Sequence, residues 1–581
     1  MLTLNHFSYG FPQKDLYNAI DFTLEEGQHC AFIGMSGSGK STLIDIILDP
    51  EKYMFEGDLE IASDCKIGYV SQFIDAEIDK SQTVFSYIAS DCLALQAHLD
   101  DLCAQMATES DLEPILEAYQ EALDAFEAIG GDRFESEITK QLNLANLSDL
   151  ADRSLLQLSG GEFKLVQVIR EMLTQPHLLI MDEPDVFLDF EHLNALKKLI
   201  NSHKGTLLVI THSRYLLNHC FNKIIHLENK ELQEFDGNYM AYNFSLLEKK
   251  IELQELATAD TEEIERNAAL IEKLRDIASN NAEPARGKSL KARVKIQERL
   301  EARRIKAPFV EIKQPHLTLH TAQPFEDTET VVLKVEDFNL SFDQELLRDV
   351  HFEIKATDKV ALIGANGTGK TSLLRELFKA SAESITVHPE AHVAYLSQVQ
   401  GEMLDEEATL LDTFLSLGFE KNQDVITYLS AYHFDEETVH QKIKTLSGGE
   451  KNILQLAKIG VGNANVLLLD EPTSHLDTYA QLALEEAISA YNGAIVMVSH
   501  DFYSIVNCMD YALLIDEHSV RKVSMRKFRK MIYQSHFNKD YLELEQKKKA
   551  LEVRIAMALQ ANDFVNAKVL CTDLENCINL M

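Results

Sequence analysis

Long apolar runs are missing from this 581-residue chain. The longest, such as Leu207 to Ile210 or Val466 to Leu469, fall far short of the roughly 18 residues a membrane-spanning helix needs. A self-contained transporter is thereby excluded. No basic-then-apolar leader opens the chain, since Leu2-Thr3-Leu4 already reads as strand. Paired cysteines are lacking too: the eight present are scattered without a CxxC, which supports neither a zinc site nor a disulfide framework. Together these absences predict a cytoplasmic protein. Positive charge is also scarce, with 55 Lys and Arg against 93 Asp and Glu and a formal net charge of −38. Taken alone, that balance argues against a nucleic-acid partner, because phosphates repel an acidic surface. The length is too great for one core and fits two large α/β domains with appendages.

The charge is unevenly spread. Between Arg286 and Lys306 nine basic residues stand against two Glu, whereas Ala97 to Glu137 holds twelve acidic residues against Arg133. The basic stretch includes Arg286, Lys288, Lys291, Arg293 and Lys295, which are candidate RNA contacts. The acidic stretch would be repelled by RNA and is better suited to a basic protein partner or to solvent.

One ordered set of motifs occurs twice. The first copy holds Gly34-Met35-Ser36-Gly37-Ser38-Gly39-Lys40-Ser41-Thr42, then Gln72, Leu158-Ser159-Gly160-Gly161-Glu162, Asp182-Glu183 and His212. The second holds Gly364-Ala365-Asn366-Gly367-Thr368-Gly369-Lys370-Thr371-Ser372, then Gln398, Leu446-Ser447-Gly448-Gly449-Glu450, Asp470-Glu471 and His500. In GxxxxGK[ST] the glycines let backbone N–H groups curl around phosphate oxygens at a helix N-terminus. Lys40 and Lys370 would reach the β- and γ-phosphates of ATP, and Ser41 and Thr371 would ligate Mg²⁺. Asp182 and Asp470 close apolar runs that read as buried parallel strands, and each can hold the hydrated Mg²⁺ with Gln72 or Gln398 nearby. Glu183 and Glu471 then sit where a base orients the attacking water, with His212 and His500 toward the γ-phosphate. Tyr9 and Phe342 are candidates to stack adenine, and strand-core packing explains them equally well.

LSGGE opens a helix with Ser and two Gly, an anion nest without a lysine of its own. Such a nest suits the γ-phosphate of a nucleotide held by another domain. The chain is therefore expected to pair its own halves as a monomer, with two ATPs between them. One site would join Lys40, Glu183 and His212 to Ser447. The other would join Lys370, Glu471 and His500 to Ser159, Gly160 and Gly161.

Spacing locates the appendages. Lys40 and Lys370 lie 330 positions apart, but Ser159 and Ser447, Glu183 and Glu471, and His212 and His500 each lie 288 apart. The first half thus carries 42 extra residues, and about 91–138 reads as a helical arm. Leu95, Leu99, Leu102, Leu116, Tyr119, Leu123 and Phe126 form its apolar stripe, and Glu109-Ser110-Asp111 is its break and cap. A helical linker is expected at 242–308, with Asn280 to Pro284 as the break and a basic second helix. Pro308, Pro315 and Pro324 mark an extended segment. The domains expected are 1–241, 242–308, 331–528 and a helical extension at 529–581. That extension carries Leu544, Leu551, Ile555 and Leu559, a turn at Ala561-Asn562-Asp563, and Val565, Val569, Leu574 and Ile578 on a return helix.

This set of motifs resembles the ATP-binding cassette superfamily. Tandem cassettes, an arm in the first, a helical interdomain linker and no transmembrane domain resemble the ABC-F family in particular, over essentially the whole chain. The resemblance implies an α/β fold of two P-loop ATPase domains that use ATP and Mg²⁺. It also implies a factor that binds the bacterial ribosome at the tRNA exit site with both cassettes closed on ATP. The linker would reach 23S rRNA near the peptidyl-transferase centre and the P-site tRNA, with ribosomal proteins of the exit region as further partners. Hydrolysis would release the factor, and neither a membrane nor DNA would be a partner. A general translation factor of the same family, or an ATPase subunit serving a separate membrane protein, are the alternatives. A DNA-repair cassette protein would bring zinc-binding cysteine clusters or very long coiled coils, and neither is here.

The halves differ at one motif. The second reads Asp470-Glu471-Pro472-Thr473-Ser474-His475-Leu476-Asp477, the first Asp182-Glu183-Pro184-Asp185-Val186-Phe187-Leu188-Asp189. After its histidine the first half has Ser213-Arg214 where the second has Asp501-Phe502. Asp185 adds charge near a phosphate site and Val186 and Phe187 remove hydrogen-bonding groups, so the site built on Lys40 and Glu183 is expected to hydrolyse more slowly. With Glu301-Ala302-Arg303-Arg304-Ile305-Lys306 closing the linker, the altered motif resembles the antibiotic-resistance branch of the family, members protecting against phenicols and oxazolidinones above all.

Overall fold

In each half the P-loop strand lies inside a six-stranded sheet whose central strands are apolar throughout, as burial on both faces requires. The computed structural model describes residues 1–11, 14–63, 65–72, 78–107, 112–186, 188–280, 294–296, 315–319, 324–342, 345–380, 382–398, 403–536 and 541–580. The first sheet runs Ile67–Val70, Leu178–Asp182, Thr206–Ile210, His29–Gly34, Lys223–Glu228 and Glu231–Asp236. Its first five strands are parallel and the last turns back antiparallel. The second sheet repeats the order with Val393–Leu396, Val466–Asp470, Ala494–Val498, Lys359–Ile363, Tyr511–Asp516 and Ser519–Ser524. A three-stranded antiparallel sheet accompanies each, centred on Leu2–Phe11 and Val331–Ser341. The P-loop helices Lys40–Leu48 and Lys370–Lys379 pack their apolar faces between these layers, with Leu43, Ile44, Leu373 and Leu374 in the cores. The topology therefore puts both phosphate loops and both aspartates at the C-terminal ends of parallel strands, where open α/β sheets bind ligands.

The arm is a helical pair, Ser90–Met106 and Glu113–Ala128. Its small core joins Leu99 and Leu102 to Ile115 and Ala122, with Tyr119, Leu123 and Phe126 packed against them. The stripe is thus turned from the expected one: Leu116 is exposed, and Ile115 takes its place. The second helix is not capped by a side chain, because its N-cap residue is Leu112. Residues 109–111 lie outside the described residues.

Two compact units form, Met1–Asn238 with Gln314–Met531, and Tyr239–Lys313 with Ile532–Met581. The first unit holds both cassettes. Within it, the described part of the proline-marked segment, 315–319, has neither helix nor strand; the His316 amide donates to the Ala431 carbonyl at 2.8 Å. The second unit joins the long helix Tyr239–Asn280 to Tyr541–Gln560 and Phe564–Asn579. Ile251 packs there with Leu551, Ile555, Leu559, Leu570 and Leu574. Sequence alone treats the linker and the C-terminal extension as separate pieces. The C-terminal return helix also differs from its expected stripe: Val565 and Val569 are exposed, and Ala567, Cys571 and Cys577 are buried with Leu574. Small and sulfur-bearing residues carry that face, so a search for large aliphatics reads the wrong phase. Leu574→Ala is expected to destabilise this unit by about 2–5 kcal/mol, the usual cost of emptying a buried leucine site. A lowered thermal midpoint by circular dichroism checks it, and an unchanged midpoint would show the packing to be loose.

Candidate nucleotide sites

Both phosphate loops join a strand to a helix through a glycine in left-handed conformation, Gly39 at φ 101° and Gly369 at φ 91°. A Cβ at Gly39 would lie 2.9 Å from the Tyr17 hydroxyl, which donates a hydrogen bond to the Gly39 carbonyl. The ammonium groups are buried and held over their own loops. Lys40 donates to the carbonyls of Gly34 and Met35, both at 2.9 Å, and Lys370 to those of Gly364 and Ala365 at 2.9 and 2.8 Å. Burial lowers the pKa of both, and neighbouring carboxylates oppose it.

The two carboxylate pairs stand at the ends of fully buried strands, Leu178–Asp182 and Val466–Asp470. Burial pushes Asp182 and Asp470 up to about 6, against hydrogen bonds from Ser41 and Thr371 respectively. Thr371 Oγ1 lies 3.2 Å from Asp470 Oδ1, and the Tyr395 hydroxyl donates to Oδ2 at 3.3 Å. Asp182 Oδ1 is buried without a hydrogen-bond partner. A hydroxyl beside such a carboxylate oxygen is a donor set that suits a hard divalent cation.

Glu183 and Glu471 both take left-handed backbone, φ 45° and 50°, a costly conformation for a non-glycine residue held only where the surroundings impose it. Their partners differ. Gln72 Nε2 donates to Glu183 Oε2 at 2.7 Å, and His475 Nδ1, from the other cassette, lies 3.3 Å from the same oxygen. Burial works against the Glu183 charge, but the His475 hydrogen bond and the charges of His212, His475 and Lys40 outweigh it and hold the carboxyl at about 2. Glu471 accepts from the His500 amide at 3.2 Å, with His500 Nε2 3.4 Å away. Burial dominates there and pushes Glu471 up to about 7. Burial, with the nearby lysine, lowers His212 to about 4 and His500 to about 3.

LSGGE is a capping box in both halves. Ser159 and Ser447 accept from the amides of Glu162 and Glu450, whose carboxylates bond back to the serine amides at 2.7 and 2.8 Å. The second of these helix starts faces the first phosphate loop, Gly449 against Ser36 and Glu450 against Gly37. The Ser36 hydroxyl donates to the His475 carbonyl at 3.2 Å, and the Ser36 amide to Asp477 at 3.0 Å. Reciprocally, the Asn366 amide donates to Asp189 at 3.2 Å. The first pairing is the tighter: a Cβ at Gly37 would lie 3.1 Å from Glu450 Oε1, while one at the equivalent Gly367 would meet nothing within 4 Å.

These contacts reassign part of the motif difference. The stretch ends in Asp189, which reaches Asn366, so this end of the altered motif lies at the Lys370 site; Phe187 lies outside the described residues. The histidine lacking at position 187 has its counterpart, His475, on Glu183. Asp185 remains on its own cassette. It accepts from Thr211 at 2.6 Å, burial pushes it up to about 6, and the Lys164 ammonium is a nearby counter-charge. Lys164 is pushed down to about 8 by burial and donates to the carbonyls of Ser71 and Gln72. The charge expected to weaken the first site is therefore partly neutralised.

The remaining residues are placed as follows. Tyr9 sits in an aromatic group with Phe11, Tyr17 and Tyr53 at 5.6–6.4 Å, whereas Phe342 is exposed. Gln398 is exposed as well, unlike the bonded Gln72. Thr42 and Ser372 follow the loop residues into the first helical turn. Lys295 lies in a short helical segment at 294–296, and Arg286, Lys288, Lys291, Arg293 and 301–306 fall outside the described residues. Sequence reasoning missed Asp189, Asp477 and His475 as cross-cassette contacts. The equal 288-residue offset of the two aspartates marks them as equivalent without showing that they cross.

Two phosphate loops, the first set against the capped LSGGE helix of the other half and the second against Asp189, define a twin-cassette P-loop ATPase. The family model for "ABC transporter" matches residues 17–186 and 347–474. The chain belongs to this family, with two ATP-binding cassettes in tandem, and it hydrolyses ATP. It is 30% identical over 515 residues to the "Putative ATP-binding protein YdiF" of Bacillus subtilis (strain 168), covering 87% of this chain and 78% of that protein. It is 29% identical over 516 residues to the "Energy-dependent translational throttle protein EttA" of Haemophilus influenzae, covering 84% and 87%. Among solved structures it is similar in fold to the "complex of archaeal ribosomal stalk protein aP1 and archaeal ribosome recycling factor aABCE1", with a TM-score of 0.52, 16% identity and 92% of each chain covered.

Proposed function

We propose that this chain is an ABC-F type factor that binds the bacterial ribosome with its cassettes closed on ATP and leaves it on hydrolysis. The observation that carries the reading is the pairing of two cassettes within one chain, the first loop against the other half's LSGGE helix and Asp477, the second loop against Asp189. Among the described residues no helix is long and apolar enough to cross a membrane, and the relative EttA bears the name of a translational throttle protein. In each site the loop glycines and Lys40 or Lys370 bind the phosphates. Ser41 with Asp182, and Thr371 with Asp470, would hold Mg²⁺, which would supply charge neutralisation to the bound phosphates. Glu183 and Glu471 orient water, with His212 and His500 beside them.

The basic residues 286–306 of the linker contact rRNA near the peptidyl-transferase centre and the P-site tRNA, and the acidic arm meets a basic ribosomal protein. The finer role is protection against peptidyl-transferase-centre antibiotics of the phenicol and oxazolidinone type. Its support is the altered motif at Asp185 to Phe187 and the residues closing the linker.

The test is co-sedimentation of the Glu183→Gln/Glu471→Gln double variant with bacterial 70S ribosomes. ATP-dependent retention is expected. Absence of retention while ATP still binds would sink the ribosome reading, and recovery with membranes instead would favour a transporter subunit. Drug displacement from the retained complexes then separates a protection factor from a general translation factor.

A further inference from the structure

Arg214 carries a buried charge that the nucleotide chemistry does not use. It follows His212 and Ser213 in the first cassette, yet its partners are all in the second. One guanidinium nitrogen donates to Glu485, to Asp501 Oδ2 at 2.5 Å and to Ser504 Oγ at 3.2 Å. The guanidinium also stacks over the Tyr503 ring at 5.1 Å. All three charged side chains are largely buried, at 11%, 11% and 16% exposure for Arg214, Glu485 and Asp501. Glu485 keeps two further donors, Ser504 at 3.0 Å and Asn507 at 2.9 Å.

The cluster points in one direction only. At the 288-residue offset, Asp501 corresponds to Ser213, Glu485 to Lys197, Ser504 to Leu216 and Arg214 to Phe502. The first cassette thus supplies the cation and the second supplies the acceptors, with no reciprocal set. Asp501 directly follows His500, whose amide and ring both approach Glu471. Asp501 Oδ1 also accepts from the Tyr503 amide and caps the helix Phe502–Cys508. A second contact from the first cassette reaches the same place, since the Phe190 ring lies edge-on to His500 at 6.2 Å.

We propose that Arg214 is a positioning residue for the site built on Lys370 and Glu471: on closure it clamps Asp501 and so fixes His500 against Glu471, while the site built on Lys40 has no such clamp. The inference rests on the assignment of His500 to that site. Permanent charge makes arginine suited to a buried pair of carboxylates, and removing it leaves them uncompensated.

The test uses the full chain. In a Glu183→Gln background, where the Lys370 site carries turnover, Arg214→Gln is expected to lower kcat about tenfold with KM for ATP changed less than about twofold. In a Glu471→Gln background the same change is expected to alter residual turnover less than about twofold. In the otherwise unaltered chain, Arg214→Gln and Asp501→Asn should be non-additive, the double variant losing no more than Arg214→Gln alone. Arg214→Lys should recover part of kcat. Equal losses in both backgrounds with a raised KM would show a plain structural clasp and overturn the proposal, as would additive losses in the cycle. Should the Glu183→Gln background prove inactive before Arg214 is touched, the two-site assignment falls, and the cycle in the unaltered chain still decides the Arg214–Asp501 coupling.

Discussion

Glutamine at Glu471 is expected to lower steady-state ATP turnover about tenfold, and glutamine at Glu183 about twofold or less. The difference follows from what each carboxylate already holds. Glu183 Oε2 receives Gln72 at 2.7 Å and faces His475 Nδ1 at 3.3 Å, so one of its two oxygens is engaged from both sides. Glu471 Oε2 takes one backbone amide, and its Oε1 faces His500 Nε2 at 3.4 Å. A general base must offer a free lone pair within hydrogen-bond reach of the water it orients. The Lys370 site meets that condition more fully and should carry most of the flux, leaving the Lys40 site as the slower, more tightly gripped one. Phosphate release at saturating ATP checks the pair, with nucleotide binding measured alongside so that a folding defect is not mistaken for lost chemistry. Equal losses would refute the asymmetry.

The same conclusion was available in the sequence, though on grounds that the geometry alters. The altered motif in the first half leads to the expectation of unequal sites. Which site each altered residue serves depends on a loop that crosses from one cassette to the other, and no spacing along one chain reveals a crossing. Asp189 and Asp477 therefore read as local strand-to-helix residues until Asn366 and Ser36 are seen opposite them. The fold itself was legible because the P-loops, aspartate strands and LSGGE helices are short, local and repeated at constant offset, so each repeat tests the other. The capping boxes at Ser159 and Ser447 were equally legible, since S-x-x-E is a local signature. What escaped were contacts of high sequence separation. The helix Tyr239–Asn280 meets the C-terminal helices through Ile251 and Leu551 to Leu574, and Arg214 meets Glu485 across the cassettes. In both cases the local pattern is compatible with solvent exposure, and only tertiary packing decides otherwise.

Valine at Gly449 is expected to abolish ATP turnover, by more than about a hundredfold, while leaving nucleotide binding to each phosphate loop in place. A Cβ at this position would stand 2.5 Å from the His475 carbonyl oxygen and 2.6 Å from Ser36 Oγ. The Ser36 hydroxyl donates to that same carbonyl, so two groups, one from each cassette, converge where any side chain must go. The carbonyl is backbone and cannot swing aside as a flexible side chain does, and it belongs to the residue whose ring faces Glu183. Displacing it would move His475, lose the Ser36 contact and hold the first phosphate loop away from the LSGGE helix. Alanine should give a smaller loss than valine, because a single methyl group asks for a smaller displacement. A graded fall from Gly to Ala to Val, with a fluorescent ATP analogue still bound, ties turnover to closure of the cassettes. If Gly449→Val instead hydrolyses ATP like the parent, the tight pairing around Ser36 and His475 is not the state in which hydrolysis occurs.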